Sequence, residues 1–285
     1  MNILISLFLN FAKVGLFTFG GGYAMISIIE NICVEQKKWI THDDMMNVTV
    51  IAESTPGPIA INCATFVGHK QGGIPGSIVA TVGIVLPSFV VIYLISSVLD
   101  HFLEITLIAN AFRGIKIGVG VLILNVAITM LKKMPKKPLP RIIAGCSCAA
   151  MLCINLFAWN FSHCSDADRR RCEPWHFPVS EPERRCFQMI YLKLFWDFFK
   201  VSCFTFGGAY GAIPLIRDMV LGNGWLTDER LAYMIAVSES TPGPIMVNMA
   251  TYIGSDQAGF WGSLIATVGV VLPAYLVILL IVSIL

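Results

Sequence analysis

The chain of 285 residues is 56% hydrophobic and only 13% charged, and its mean hydropathy is +0.73. A soluble globular domain carries roughly 25% charged residues, so this composition excludes that class and predicts an integral membrane protein. The net charge is +2, and the basic residues are too scattered to form a nucleic-acid-binding surface.

The N-terminal segment is expected to stay in the mature protein. Its apolar run starts at Ile3, has no basic leader and contains Lys13, a pattern that argues against a cleaved signal peptide. The sequence Phe-Thr-Phe-Gly-Gly begins four residues after Lys13, at residues 17–21. Because glycine loosens a helix and lets backbones approach closely, Gly20 and Gly21 predict a discontinuity in the first membrane helix.

A short link follows, in which Trp39 precedes Thr41, His42 and Asp43. A threonine followed by an acidic residue is typical of a helix N-cap, and tryptophan suits the level of the lipid headgroups. The link therefore predicts a helix that starts just after Thr41, near the membrane surface.

The next feature is the sequence Glu-Ser-Thr-Pro-Gly-Pro-Ile at residues 53–59, which recurs letter for letter at residues 239–245. Proline removes a backbone donor and collides with the preceding turn, so each Pro-Gly-Pro breaks the helix that it enters. The flanks are apolar, and in hydrocarbon an interrupted backbone survives only where it is buried in protein or lines a wet cavity. The duplicated break therefore predicts a polar site at membrane depth, as in transporters built from repeats with discontinuous helices. Its prolines are Pro56, Pro58, Pro242 and Pro244.

Apolar runs that are long enough to cross a bilayer of ~30 Å, which takes about 20 helical residues, occupy residues 74–99, 105–131, 142–161 and 260–285. Lysines at 132, 133, 136 and 137 separate the second run from the third and predict a cytoplasmic loop. If the first copy has five membrane segments, the second copy enters the membrane with the opposite orientation, and the repeat is inverted.

A hydrophilic stretch at residues 162–188, with five arginines, separates the two copies. It is either an ordinary linker or a join between two once-separate reading frames, with Met189 as the old start. The predicted domains are therefore a first copy at 1–161, the linker at 162–188 and a second copy at 189–285.

The second copy repeats the features of the first. Lys200 again lies four residues before Phe-Thr-Phe-Gly-Gly, which places glycines at Gly207 and Gly208. This copy reaches only into the segment that matches residues 74–99, so it is expected to be incomplete. The predicted fold is an all-α integral membrane protein with an internal duplication, inverted-topology repeats and helices broken at Pro-Gly-Pro.

These motifs resemble those of the chromate transporter family. The resemblance rests on both Phe-Thr-Phe-Gly-Gly sequences, both Pro-Gly-Pro breaks, and Gly83 with Leu86-Pro87, which Gly269 with Leu272-Pro273 matches. It covers both copies and leaves out the linker. It implies a multi-pass protein of the bacterial inner (plasma) membrane that exports chromate, an oxyanion close in shape to sulfate, with the electrochemical gradient as driving force, and so confers chromate resistance. Family members occur as single chains with two halves or as pairs of short chains, so a homo- or hetero-oligomer is compatible with the resemblance.

The helix ends at the two breaks are the predicted anion-binding groups. A broken helix offers free N–H groups and the positive end of its dipole to a dianion. Neutral side chains near the break could add hydrogen bonds, although asparagine and threonine in membrane helices often only join neighbouring helices. The predicted substrate-binding residues are Thr55, Gly57, Asn62 and Thr65 in the first copy, and Thr241, Gly243, Asn248 and Thr251 in the second.

Two further hypotheses concern the charged residues near the breaks. Lys13 and Lys200 are predicted countercharges for the anion, because an intramembrane lysine is costly and usually functional; the alternative is that both snorkel to the interface. Glu53 and Glu239 are predicted to couple transport to protons. That role requires protonation, which burial favours, or pairing with the lysines; the alternative is a pair of interfacial acids at helix ends.

No catalytic, metal or cofactor site is expected. The sequence contains neither a Walker A lysine nor His-Glu-x-x-His, and no histidine recurs in both copies to activate Ser54 and Ser240. We therefore predict secondary-active transport of an oxyanion, chromate first and sulfate-like anions next. The alternative is a non-transporting or half-transporter subunit that needs a partner chain, an idea that the incomplete second copy motivates.

Overall fold

The computed structural model of the protein describes residues 2–18, 22–103, 114, 183–206 and 208–284. The regular elements among these residues are all helices, which confirms the all-α prediction for this part of the chain. Except for Glu183, the described residues belong to one compact unit, Met1–Val119 with Arg184–Leu285; the second unit is Gly120–Glu183. Two predicted apolar runs, 105–131 (apart from residue 114) and 142–161, lie outside the described residues.

The helices follow the same order twice. Each copy has a helix, a short interruption, two short helices, a Pro-Gly-Pro break and a long helix. Their bounds are α1 Ile3–Phe17, α2 Gly22–Glu30, α3 His42–Ser54, α4 Ile59–Leu103, α5 Glu183–Phe204, α6 Ala209–Gly222, α7 Asp228–Ser240 and α8 Ile245–Ile284. A π-helical stretch, Asn31–Gln36, continues α2.

The short helices α3 and α7 start where the sequence predicts. Thr41 Oγ1 accepts a hydrogen bond from the Asp44 N–H at 3.1 Å, and Asp44 Oδ2 accepts one from the Thr41 N–H at 3.0 Å. In α7, Thr227 Oγ1 accepts from the Arg230 N–H at 3.3 Å. Each cap satisfies a donor that the first turn of a helix leaves open.

Among the described helices, the long helices α4 and α8 are best suited to cross a membrane. Ile59–Val98 and Ile245–Ile284 contain windows with mean hydropathies of 2.6 and 2.7, and α1 is a shorter apolar helix. Each long helix is kinked, α4 at Gly72–Gly73 and α8 at Ala258–Gly259. These spans include all but the last residue of the predicted runs 74–99 and 260–285.

The two long helices run antiparallel. Ser77 Oγ lies 3.0 Å from Tyr275 Oη, and Ser96 Oγ donates to Ser255 Oγ at 2.7 Å. Residue numbers therefore rise along α4 as they fall along α8. As a result, the kinked region of α8 lies beside the C-terminal part of α4.

Small residues let the first helix of each copy pack closely on the long helix. A Cβ added at Gly83 would lie 2.9 Å from the Phe8 carbonyl oxygen, and one added at Gly269 would lie 2.8 Å from that of Phe195. Such close backbone approach is typical of membrane helices, whose association depends on packing. The packing of α1 on α4 and of α5 on α8 positions the two breaks.

Candidate functional site

Residues 55–58 and 241–244 interrupt the helices at the two Pro-Gly-Pro sequences. Helix α3 ends at Ser54 before α4 begins at Ile59, and α7 ends at Ser240 before α8 begins at Ile245. Thr55 and Thr241 have extended backbones at the C-caps. Gly57 and Gly243 have φ angles of +94° and +106°, a left-handed conformation that favours glycine.

Each Pro-Gly-Pro break is bonded to the other copy. The Gly57 N–H donates to the Thr205 carbonyl at 2.9 Å, and the Gly243 N–H donates to the Thr18 carbonyl at 2.9 Å. Thr18 and Thr205 belong to the two Phe-Thr-Phe-Gly-Gly sequences and directly follow α1 and α5. The four interruptions therefore meet as two reciprocal pairs, and each pair contains residues of both copies.

The fit at the breaks leaves no room for a side chain at either glycine. A Cβ added at Gly57 would lie 2.6 Å from Ala274 Cβ, and one added at Gly243 would collide with Ser88 Cβ. Ser88 and Ala274 directly follow the prolines of the long helices, Pro87 and Pro273. Each break therefore packs against the long helix of the other copy.

Helix N-termini from both copies gather around Ile59, the first residue of α4. A Cβ added at Gly22, where α2 begins, would lie 3.4 Å from Ile59 Cβ. One added at Gly208, the N-cap of α6, would lie 3.3 Å from Ile59 Cδ1. Because each N-terminus carries free N–H groups and about half a positive charge, this cluster of helix ends suits an anion.

Asn62 and Asn248 connect the start of each long helix to the end of the short helix before it. Asn62 Nδ2 donates to the Ala52 carbonyl at 3.2 Å, to Thr55 Oγ1 at 2.9 Å and to the Pro56 carbonyl at 3.3 Å. The matching bonds of Asn248 Nδ2 reach the Ser238 carbonyl at 3.2 Å, Thr241 Oγ1 at 3.4 Å and the Pro242 carbonyl at 3.3 Å. Both asparagines are 0% exposed, and within the described part of the chain neither Oδ1 has a hydrogen-bond partner.

The predicted threonines use their hydroxyls within their own copy. Thr55 Oγ1 donates to the Ile51 carbonyl at 2.9 Å, and Thr241 Oγ1 to that of Val237 at 2.6 Å.

Thr65 and Thr251 lie further along the long helices. Their hydroxyls bond to Thr81 at 2.7 Å and to Thr267 at 2.8 Å, which joins the two halves of each kinked helix. The structure therefore brings Thr55 and Thr241 to the breaks and does not bring Thr65 and Thr251 there.

Lys13 and Lys200 are exposed and are not brought to the breaks. The Lys200 side chain is 52% exposed; its Nζ lies 3.7 Å from Asp197 Oδ1 and 5.8 Å from the centroid of the Trp196 ring. Lys200 thus contacts residues of its own helix, as a snorkelling side chain can; the roles of both lysines stay predictions.

Glu53 and Glu239 are half-buried, one residue before the last residue of α3 and α7. Glu239 Oε1 is buried and has no hydrogen-bond partner among the described residues. No ion pair found in the described segments joins either glutamate to Lys13 or Lys200. Of the predicted glycine interruptions, Gly20, Gly21 and Gly207 lie outside the described residues, whereas Gly208 has a φ of +100°.

The sequence analysis missed the part that Thr18, Thr205, Ile59 and Ser88 take in the site. Its only signal for the threonines was the recurrence of Phe-Thr-Phe-Gly-Gly. Thr18 supplies its carbonyl to Gly243, and its Oγ1 is buried without a hydrogen-bond partner in the described segments.

In the described part of the chain, two apolar helices long enough to cross a membrane, together with the paired interruptions, are consistent with a helical membrane protein with discontinuous helices, an architecture typical of transporters. The chain belongs to the chromate transporter family, whose model matches residues 5–164 and 192–285. These two matched segments correspond to the two copies.

Several curated proteins are similar to the chain, some of them over most of its length. The chromate transport protein of Pseudomonas aeruginosa is 26% identical, over 94% of this chain and 70% of the relative. The chromate transport protein of Cupriavidus metallidurans is 25% identical, over 96% of this chain and 72% of the relative. The uncharacterized transporter YwrA of Bacillus subtilis is 30% identical over 43% of this chain and 68% of its own length. No solved structure matches the chain.

Proposed function

We propose that this chain is a secondary transporter that exports a tetrahedral oxyanion, with chromate as the first candidate and sulfate-like anions as the next. The family and the printed names of the Pseudomonas and Cupriavidus relatives support chromate. The proposed location is the inner membrane, which the chain crosses several times. The electrochemical gradient across that membrane is the proposed driving force.

The reciprocal bonding of the breaks is the observation that carries this proposal. An anion that enters hydrocarbon must have its hydration replaced, and N–H groups at helix N-termini replace it at low cost. The N-termini of α2, α4 and α6 gather around Ile59, and we assign the anion to this region. Gly57 and Gly243 give the two breaks their backbone shape. The hydrogen bonds of Asn62 with Thr55 and of Asn248 with Thr241 fix the chain around the site.

The proposed transport mechanism uses copies that cross the membrane in opposite directions. Antiparallel pairing of α4 and α8 supports this inverted arrangement. Residues 1–161 and 189–285 would then be the two halves, with 162–188 as their linker. Rocking of one half against the other would expose a fixed central site to each side in turn.

Reconstitution of this chain alone in lipid vesicles tests the proposal. We expect labelled chromate to move across the membrane when a pH gradient or a membrane potential is imposed, and empty vesicles to show no flux. Labelled sulfate, measured in parallel, reports how widely the site accepts tetrahedral anions. Flux that arises only after a partner chain is added would instead support the subunit alternative. Absence of both flux and anion binding would contradict the proposal.

A further inference from the structure

We propose that a cleft on the second copy binds the headgroup of an anionic phospholipid from the surrounding bilayer. The cleft lies between α5 and the turn that follows α6, and its volume is about 770 Å³. Its polar and aromatic lining consists of Lys193, Trp196, Asp197, Lys200 and Trp225. The inference concerns the lipid around the protein and so goes beyond the proposed anion transport.

The cleft brings two lysines and two tryptophans together. Lys193, Trp196 and Lys200 follow one another at the spacing i, i+3, i+7 and therefore share one face of α5. Lys193 Nζ lies 5.9 Å from the centroid of the Trp225 ring, and Lys200 Nζ lies 5.8 Å from that of the Trp196 ring. The face of a tryptophan ring attracts a cation. Both ammonium groups are thus held at the cleft, although both lysines are exposed.

The charges that line the cleft suit one phosphodiester. Two ammonium groups and the Asp197 carboxylate leave a net charge of +1, which the single negative charge of phosphatidylglycerol balances. Asp197 Oδ2 accepts a hydrogen bond from Asn223 Nδ2 at 2.9 Å, and Asp197 Oδ1 lies 3.7 Å from Lys200 Nζ. Because both oxygens already have partners in the protein, the carboxylate is less available to the ammonium of a zwitterionic headgroup.

The lengths of the helices place the cleft at the edge of the hydrocarbon. Lys193 precedes Thr205, which bonds to the break at Gly57, by 12 residues, or about 18 Å of helix. Helix α7 has 13 residues between the turn at Trp225 and the second break, or about 20 Å. If the breaks lie near the middle of a hydrocarbon layer of about 30 Å, both routes end at its edge. Tryptophan suits this level, and Lys200 reaches it by snorkelling.

Apolar side chains beside the cleft are available to acyl chains. Leu192 and Trp196 belong to the wall of the cleft and are 69% and 52% exposed. Phe204, at the end of α5, is 73% exposed. A soluble phosphodiester would use the lysines alone, whereas a phospholipid would use the lysines and this apolar strip along α5.

The described part of the first copy lacks two of these charges. Counted back from Phe-Thr-Phe-Gly-Gly, Ser6 stands at the position of Lys193, and Asn10 stands at that of Asp197. Asn10 Nδ2 donates to the Ser6 carbonyl at 2.7 Å, and both residues are buried. The lipid site therefore belongs to the second copy, and in an inverted repeat it would face one leaflet of the bilayer.

Thermal unfolding of the purified full-length chain in detergent tests the inference. Phosphatidylglycerol and phosphatidylcholine with the same acyl chains are titrated in separate series. We expect phosphatidylglycerol to raise the Tm in a saturable manner and phosphatidylcholine to raise it much less. Glycerophosphoglycerol, which is the same headgroup without acyl chains, should give no stabilisation that depends on Lys193 and Lys200. Stabilisation by this soluble headgroup that is lost in Lys193→Gln/Lys200→Gln would contradict a lipid as the ligand.

Two double variants separate the cleft from general attraction to anionic lipid. Lys193→Gln/Lys200→Gln should weaken the apparent affinity for phosphatidylglycerol about fivefold for each lysine removed. Lys37→Gln/Lys38→Gln removes the same charge from two exposed lysines outside the cleft and should keep the affinity of the natural chain. All four side chains are exposed, so both variants should fold. Equal loss in the two variants, equal stabilisation by the two lipids, or no stabilisation by phosphatidylglycerol would each overturn the inference.

Discussion

Gly57 and Gly243 are the residues on which the contact between the two copies depends. Each combines a positive φ with a backbone N–H that bonds to the other copy and with a Cβ position that another side chain occupies. A glycine in another loop has only the positive φ. Gly224 has a φ of +66° and no atom within 4 Å of its Cβ position, so it offers a matched control.

We predict that Gly243→Ala destabilises the protein much more than Gly224→Ala. A left-handed conformation costs an alanine roughly 1–2 kcal/mol, which both variants incur. Overpacking against Ser88 adds about 1–3 kcal/mol in Gly243→Ala alone. Thermal unfolding of both variants in the same detergent measures the difference. Adding Ser88→Gly should recover part of the loss, and equal destabilisation of the two single variants would contradict the close fit at the break.

Glu53 and Glu239 carry the proposed proton coupling. The variant Glu53→Gln/Glu239→Gln is expected to keep chromate binding, because neither carboxylate belongs to the helix N-termini assigned to the anion. Its flux should no longer accelerate when a pH gradient is imposed on the vesicles. A variant that responds to the gradient as strongly as the natural chain would remove these glutamates from the coupling mechanism.

At the scale of the elements, the two copies use ion pairs of opposite polarity at equivalent positions. Asp44 Oδ1 lies 2.7 Å from Lys70 Nζ and joins α3 to α4, whereas Arg230 Nη2 lies 2.6 Å from Asp256 Oδ1 and joins α7 to α8. Asp44 and Arg230 occupy the same place relative to their Pro-Gly-Pro breaks, as do Lys70 and Asp256. Because the geometry tolerates both polarities, the link between the helices matters more than the sign of either charge.

The reversed pair Asp44→Arg/Lys70→Asp should therefore be more stable than either single variant. The pair is partly exposed, so each single reversal should cost about 1 kcal/mol or less, from lost attraction and new repulsion. Asp44→Arg also removes the carboxylate that caps the Thr41 N–H, so recovery in the double variant will be partial. Unfolding of the four proteins as a double-mutant cycle measures the coupling, and its absence would show that the ion pair does not link α3 to α4.

Acid should weaken the same link in the natural chain. The hydrogen bond from Lys70, followed by the backbone and side-chain hydrogen bonds from Thr41, lowers the pKa of Asp44 from 3.8 to about 2. Since the folded pKa is depressed, Asp44 contributes stability above pH 3.8 and loses it as the pH falls toward about 2. Asp44→Asn should show a smaller loss of stability over this range than the natural chain, and identical acid profiles would contradict the assignment.

Local signals in the sequence predicted the caps and the breaks of these elements. Thr41 and Thr227 cap their helices, and the helices stop and restart around Pro-Gly-Pro, because these features depend on neighbouring residues. The kinks at Gly73 and Gly259 were missed, although both glycines have positive φ angles. A signal was present in the sequence, because Gly72-Gly73-Ile74-Pro75-Gly76 and the polar residues Ser255-Asp256-Gln257 before Gly259 are typical of a turn between two helices.

At the scale of the whole molecule, the contacts between the copies could not be predicted. The bonds from Gly57 to Thr205 and from Gly243 to Thr18 join residues far apart in the chain, and no local pattern specifies such a pairing. The sequence also left open whether Lys13 and Lys200 are countercharges or snorkel to the interface, because a long lysine side chain on a membrane helix can reach in either direction. The duplication indicated two similar halves but did not indicate which surfaces meet.

The central proposal is that the two copies cross the membrane in opposite directions and that their breaks meet inside it. Asp43 and Glu229 are exposed at equivalent positions in the first turns of α3 and α7, so single cysteines placed there report the side that each copy faces. The labels require a background in which the nine native cysteines are replaced. With a membrane-impermeant maleimide, we predict that Asp43→Cys reacts from one side of the membrane and Glu229→Cys from the other. Reaction of both from the same side would contradict the account.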